Sequence, residues 1–272
     1  MKQPILATLC LLAMLGCTVQ KSPETKTEIG FGTPYLWSPE YLNGMVKSVE
    51  QRAYWATEKD GEYLRGDLIT LKERDSIGWS HDFIVQFDSS GLAERVDYLD
   101  DEGQSYGFWK ISIEDGKYAK AMWVEGDSSS TYWIYSYNDA GHMVRGERFR
   151  IGVDTLLNGA NIETNENGHL TKVQWFDAKG EAGNTVTLEY NDMDLVTYRE
   201  TRNSEGNVIS WSRAVYDENG LATSGEAMLR DSTTLSVEVK YPDFDEKGNW
   251  LEMVSIQDGQ LVGMDVRTIT YY

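Results

Sequence analysis

The chain reads as an all-β protein: an antiparallel meander of repeated β-hairpins forming a long twisted or rolled sheet, with a two-sheet sandwich as the alternative. Three observations predict this. One turn signature, Asp or Asn, two residues, then Gly or its equivalent, recurs along the chain. Between these turns the segments are short, aromatic and β-branched, and no long stretch has the 3.6-residue period of an amphipathic helix. The only cysteines are Cys10 and Cys17, so no disulfide framework can stand in for a core or a long sheet.

The order of the chain begins with "MKQPILATLCLLAMLGCTVQ". One Lys precedes an apolar run from Ile5 to Leu15. That run is shorter than the ~20 residues a membrane-spanning helix needs and fits the apolar region of a secretory signal. Met14-Leu15-Gly16-Cys17 resembles the bacterial lipobox, which implies cleavage before Cys17 and diacylglycerol on its sulfur. Residues 1–16 are then a lipoprotein signal peptide, and residues 17–40, opening with polar "TVQKSPETKTE", a tether. The multi-chain lipid supplies the anchoring that one acyl chain cannot. Losing Lys2 with the signal takes the formal charge from −19 to −20. Such a surface excludes nucleic acid and disfavours anionic head groups as partners.

Residues 41–272 carry the repeated turns: Asp88–Gly91, Asn138–Gly141, Asn165–Gly168, Asp177–Gly180, Asn203–Gly206, Asp217–Gly220 and Asp245–Gly248. At Asn191–Asp194 an Asp stands where Gly is expected. Looser turns fall at Asp100–Gly103, Glu114–Gly116 and Gln257–Gly259. A leading Asp or Asn bonds its side chain to backbone N–H groups further on, and the closing residue takes positive φ. A type I turn followed by a left-handed residue is a common hairpin connection. The intervals alternate as strands should: in "TLSVEVKY", Leu235, Val237, Val239 and Tyr241 share one face.

Candidate chemistry is sparse. From Asp243, a calcium loop would need ligands at its first, third, fifth and twelfth positions; these hold Asp243, Asp245, Lys247 and Val254, so two fail. The stretch reads as a turn, with no metal site. His142 and His169 follow turn glycines, and His81, beside Asp82, lacks a nucleophile at useful spacing. No phosphate loop, CxxC, HExxH or nucleophile elbow is present. No catalytic or cofactor-binding residue is assigned. Paired carboxylates are abundant, and eight tryptophans (Trp55, Trp79, Trp109, Trp123, Trp133, Trp175, Trp211 and Trp250) fall in predicted strands. They serve either as cross-strand core pairs or as an exposed row for a sugar or protein.

The aromatic-Asp-x-x-Gly phrases, "YDENG" and "FDEKG" among them, resemble the YD repeats of Rhs-type proteins. With "YLNGMVKSVEQRAYW", "FIVQFDSSGL" and the terminal "VRTITYY", the chain also resembles small Bacteroidetes lipoproteins. The resemblance implies a β-hairpin array on a lipid anchor rather than an activity. The expected function is a non-enzymatic binding or scaffold protein of the bacterial cell envelope, lipidated at Cys17 on the periplasmic or cell-surface side of the outer membrane. Its partners are the membrane, through the lipid, and a protein or glycan ligand. The alternative is a glycan-acting hydrolase using a carboxylate pair.

Overall fold

The computed structural model describes residues 26–29, 40–77, 81–126 and 128–272. The signal peptide, Cys17, Trp79 and most of the expected tether lie outside these. Within the tether, β1 (Lys26–Ile29) pairs antiparallel with β2 (Glu40–Asn43). The chain continues through β3 (Val46–Lys59), β4 (Glu62–Leu68), a short helix α1 (Leu71–Ile77), β5 (Phe83–Phe87), β6 (Ala93–Leu99), β7 (Ser105–Glu114), β8 (Lys117–Glu125) and β9 (Ser128–Tyr137). Then come β10 (Met143–Arg150), β11 (Thr155–Thr164), β12 (Leu170–Asp177), β13 (Ala182–Tyr190), β14 (Val196–Arg202) and β15 (Val208–Tyr216). The last four strands are β16 (Ala222–Met228), β17 (Thr234–Phe244), β18 (Trp250–Gln257) and β19 (Gln260–Tyr271).

The expected meander is present, but it is neither an open rolled sheet nor a sandwich. It closes into a barrel. The closing strand is β3. One edge of β3 pairs with β19 from Val46↔Tyr271 to Trp55↔Gly263. Its other edge is divided: Ser48–Gln51 pairs with β5, and Tyr54–Lys59 pairs with β4. The circuit therefore runs through β3 and β5 to β19, sixteen strands in all, with β4 a side branch. A closed circuit removes both long edges that an open meander would leave unpaired.

The turns are built as the spacing predicts. At Asp217, the backbone N–H bonds the Leu221 carbonyl, the Gly220 N–H bonds the Asp217 carbonyl, and the side-chain Oδ1 accepts from the N–H groups of Asn219 and Leu221. The same bonds recur at Asp88, Asn165, Asp177, Asn191, Asn203 and Asp245. Gly220 has φ 82° and Asp194, the substitute, φ 62°. Backbone hydrogen bonding at Asp100–Gly103 is equally tight. Two of the looser turns prove to be two-residue loops, Asp115-Gly116 and Asp258-Gly259, as is Asp60-Gly61, which the turn signature missed. Both residues of each have positive φ, the requirement of a type I′ hairpin.

Turns at one end of the barrel start at Asn138, Asn165, Asn191, Asp217 and Asp245, 26 to 28 residues apart. The structural repeat is thus a two-strand hairpin rather than a single strand. The aromatic before the turn locks consecutive repeats. Tyr137, Tyr190 and Tyr216 donate their hydroxyls to the carbonyls of Tyr118, Leu170 and Val196, at 2.8, 2.8 and 2.7 Å. Each phenol reaches back to the preceding hairpin. Burial pushes the Tyr137 hydroxyl up to about 12.

The inward face is mainly apolar, with a buried polar set, Gln51, Asp265 and Arg267, where β3 meets β19. Val49, Val85, Val96, Ala121, Trp133, Val173, Val186, Leu235, Val237 and Val239 are buried on it. The alternate positions, such as Ser236, Glu238 and Lys240 along β17, are exposed. Most described tryptophans belong to the interior: Trp133 and Trp250 are buried, Trp109 packs on Trp123 at 5.4 Å and Trp133 on Trp175 at 6.2 Å. Trp211 alternates with buried Ser212 and faces outward, under the Arg213 guanidinium.

The turn glycines set one expected result. Gly220→Val should cost about 1–3 kcal/mol, because a β-branched residue is strained at positive φ. Asp217→Ala should cost about 0.5–1.5 kcal/mol, for local hydrogen bonds alone. Gly220→Asn should fall below Gly220→Val, since Asn enters the left-handed region more readily. Urea midpoints check the order; equal midpoints for the Val and Asn variants would contradict it.

Candidate functional site: a polar groove on the barrel wall

A groove of about 630 Å³ crosses the outer face of β15 to β18. Its floor exists because β16 and β17 carry small residues there: Ser224, Gly225 and Ser236. Arg213 and Val215 of β15 rise on one side; Ile256 and Gly259 of β18 and its turn rise on the other. The β18–β19 turn is fastened down by Asp258, whose carboxylate accepts from the Ser236 N–H and hydroxyl and whose own N–H bonds the Ser236 carbonyl. Val215 is 56% exposed, an apolar wall open to solvent.

Two glutamates line the groove. Glu226 lies directly opposite Arg213 and Ser236 in register, and Glu238 opposite Ser224 and Ile256. Both are exposed, and Glu238 forms an ion pair with Lys240. A general acid for glycoside hydrolysis needs a carboxyl in a desolvated site, and neither glutamate occupies one. Arg213 lies over the rings of Trp211 and Tyr198, 5.4 and 5.6 Å from their centroids.

Other polar groups have structural work. Asp245 Oδ1 accepts two turn N–H groups, and its Oδ2 accepts from Asn249 and the Tyr271 hydroxyl; Asp243 accepts from the Phe244 N–H. The opening residues of the supposed calcium loop are therefore committed to the scaffold. Among the described residues no three His, Cys, Asp or Glu side chains converge as a metal site would require. The three histidines are dispersed. His81 packs edge-on against Tyr98 and Tyr106, His142 Nδ1 lies 3.4 Å from the Thr164 hydroxyl, and His169 Nδ1 lies 3.3 Å from Asp194.

Sequence reasoning missed a buried ionic cluster beneath α1. Thr70 and Glu73 form a capping box: the Thr70 N–H and hydroxyl donate to Glu73, and the Glu73 N–H donates to the Thr70 hydroxyl. The T-x-x-E pattern was the available signal. This cap starts a helix that delivers Arg74 into the protein, fully buried, 2.7 Å from Asp82. Asp82 also accepts from the Ala53 N–H and from Arg52 Nε. Asp101, on the β6–β7 turn, caps the helix through the Leu71 N–H. The cluster has no opening to solvent at Arg74 or Asp82 and fastens the β4–α1 branch to the barrel.

Compared by sequence, the chain matches no protein-family model and no curated protein. Solved structures do resemble it. A porin-like protein from Bacteroides uniformis is 11% identical with a TM-score of 0.54, over 83% of this chain and 98% of that one. A porin-like protein from Bacteroides vulgatus is 11% identical over 85% and 99%, with a TM-score of 0.33. The TcdB2-TccC3 structure is 9% identical over 74% of this chain and 11% of that one, with a TM-score of 0.28. At this identity only the fold carries across: the chain is similar in fold to the Bacteroides uniformis porin-like protein.

Proposed function

We propose that the protein is a lipid-anchored, non-enzymatic component of the bacterial cell envelope that presents the wall of its barrel to a ligand. The observation that carries this reading is the orientation of the barrel's two faces. A membrane-spanning barrel turns an apolar band outward and polar residues inward. Here most of the side chains buried inside are apolar, while Ser, Glu, Lys and Thr are common on the described outer face and its exposed apolar residues, such as Ile134 and Val215, form no continuous band. A barrel of this kind suits water, so its attachment falls to the N-terminal lipobox-like segment. The described interior is occupied by packed, buried side chains, which leaves the outer surface for binding. The groove over β15 to β18 is a concave feature of that surface, and its exposed glutamates suit recognition better than hydrolysis. The YD-type hairpin repeat serves as the scaffold for that surface.

The anchor is tested by Cys17→Ser. The variant should lose radiolabelled-lipid incorporation and remain unprocessed. A version beginning after Cys17 should partition into the aqueous phase of a detergent separation. Recovery of that version in the detergent phase would instead favour a lipid-embedded barrel.

A further inference from the structure

Several opposite charges on the outer wall are closed into pairs. Arg95 meets Asp97 at 2.7 Å, Arg145 meets Glu147 at 2.8 Å, Lys172 meets Glu163 at 2.7 Å and Arg202 meets Glu200 at 2.6 Å. Arg213 and Glu226, inside the groove, are not closed in this way. They are direct cross-strand partners, the arrangement in which opposite charges attract most readily. Yet the guanidinium lies over Trp211 and Tyr198, and among the described residues neither it nor the Glu226 carboxylate has a hydrogen-bond or ion-pair partner. A fork of donors and a pair of acceptor oxygens thus stand free at the edge of one cavity.

We propose that this groove binds an uncharged glycan whose hydroxyl groups bridge the Arg213 guanidinium and the Glu226 carboxylate. The chemistry selects the ligand class. A guanidinium only donates and a carboxylate only accepts, whereas a sugar hydroxyl does both. Ser224, on the floor, supplies a further hydroxyl. An anionic ligand would meet Glu226, Glu238 and a chain of net charge −19; a cationic one would meet Arg213. A neutral polyol satisfies both charges without either repulsion. Exposed Val215 and half-buried Ile256 line the groove and suit the C–H faces of pyranose rings. The volume falls within the ~300–1,000 Å³ usual for small-ligand sites. The narrow floor leaves room because the strand residues there are small.

This inference rests on the binding reading above but not on the lipid. Full-length processed protein, fluorescently labelled and held in a sugar-free detergent, is applied to an array of neutral oligosaccharides, uronate- and sialic-acid-containing oligosaccharides and short peptides. At least one neutral oligosaccharide should be retained. Arg213→Met and Glu226→Gln should each weaken its binding about tenfold or more, the loss expected for a charge-assisted hydrogen bond. Ser224→Trp should abolish binding by filling the floor. Lys172→Met, at a closed pair elsewhere on the wall, should leave it unchanged. Thermal midpoints of the exposed-site variants should stay close to that of the parent. Retention of only charged glycans or only peptides, retention of nothing, or affinity indifferent to the groove variants would overturn the proposal. Lipid labelling of the same preparation reports the anchor separately.

Discussion

Arg74→Met should destabilise the protein by about 3–5 kcal/mol, the range for removing one partner of a buried ion pair. Met restores most of the side-chain volume, so the loss is chiefly electrostatic. Asp82, with a side chain 1% exposed, would keep Arg52 and the Ala53 N–H but lose the contact at 2.7 Å. Burial already raises the Asp82 carboxyl above its ordinary value, while Arg74 and then Arg52 oppose the rise. Removing Arg74 leaves burial less opposed, and the folded-state pKa climbs further. A carboxyl with a raised folded pKa contributes stability below its unfolded pKa and loses it as pH rises through the folded one. The gap between parent and variant should therefore be widest at neutral pH and narrow on acidification. Arg74→Met/Asp82→Asn should recover much of the loss, because no charge is then left buried. Urea unfolding at pH 5 and pH 7.5 checks both; a gap independent of pH would assign the loss to packing.

Asn249→Ala should cost about 2–3 kcal/mol, more than any single turn acid away from the seam. Asn249 is buried and serves both ends of the chain. Its Oδ1 accepts the Asn43 N–H at 2.7 Å, and its Nδ2 donates to the Asn43 carbonyl, the Tyr271 hydroxyl and Asp245 Oδ2. Alanine would strand the Asn43 backbone groups where β2 enters the barrel. The same geometry changes the balance at the neighbouring turn. Asp245 binds Tyr271 as well as its own turn, so Asp245→Ala should match or exceed Gly248→Val, the reverse of the order at Asp217 and Gly220. Hydrogen exchange of residues 43–50 in Asn249→Ala should quicken ahead of global unfolding. Unchanged protection there would show that the clamp does not hold the seam.

The local half of the fold is legible in the sequence. An Asp or Asn and a left-handed residue three positions on define a turn by bonds within five residues, so Asp217–Gly220 and even Asp194 can be placed without knowing what surrounds them. Closure is not legible by such means. It depends on Val46–Trp55 meeting Gly263–Tyr271 more than 200 residues later, and β-branched strands of this kind pair equally well in an open meander. The two-strand repeat was obscured because turns at both ends of the barrel carry the same signature. The helix was readable from Thr70 and Glu73 but is too short to show a period. The groove depends on which face of β16 carries Ser224 and Glu226 and on what rises beside them. Tryptophans at strand spacing likewise announce neither face; register across β9 to β12 and β15 places Trp133 and Trp175 inside and Trp211 outside.

The central claim is that the hairpin array closes on itself through β3 and β19. Ser48 and Thr270 are register partners on the outer face, their hydroxyls 2.6 Å apart. Ser48→Cys/Thr270→Cys, in a background with Cys10 and Cys17 replaced by Ser, should form an intramolecular disulfide under mild oxidation of the folded protein. The bond would be seen as faster gel migration that reverts on reduction. A closed barrel predicts near-complete monomeric cross-linking. Free thiols throughout, or disulfide-linked dimers in place of the monomeric cross-link, would show an open array and contradict the account.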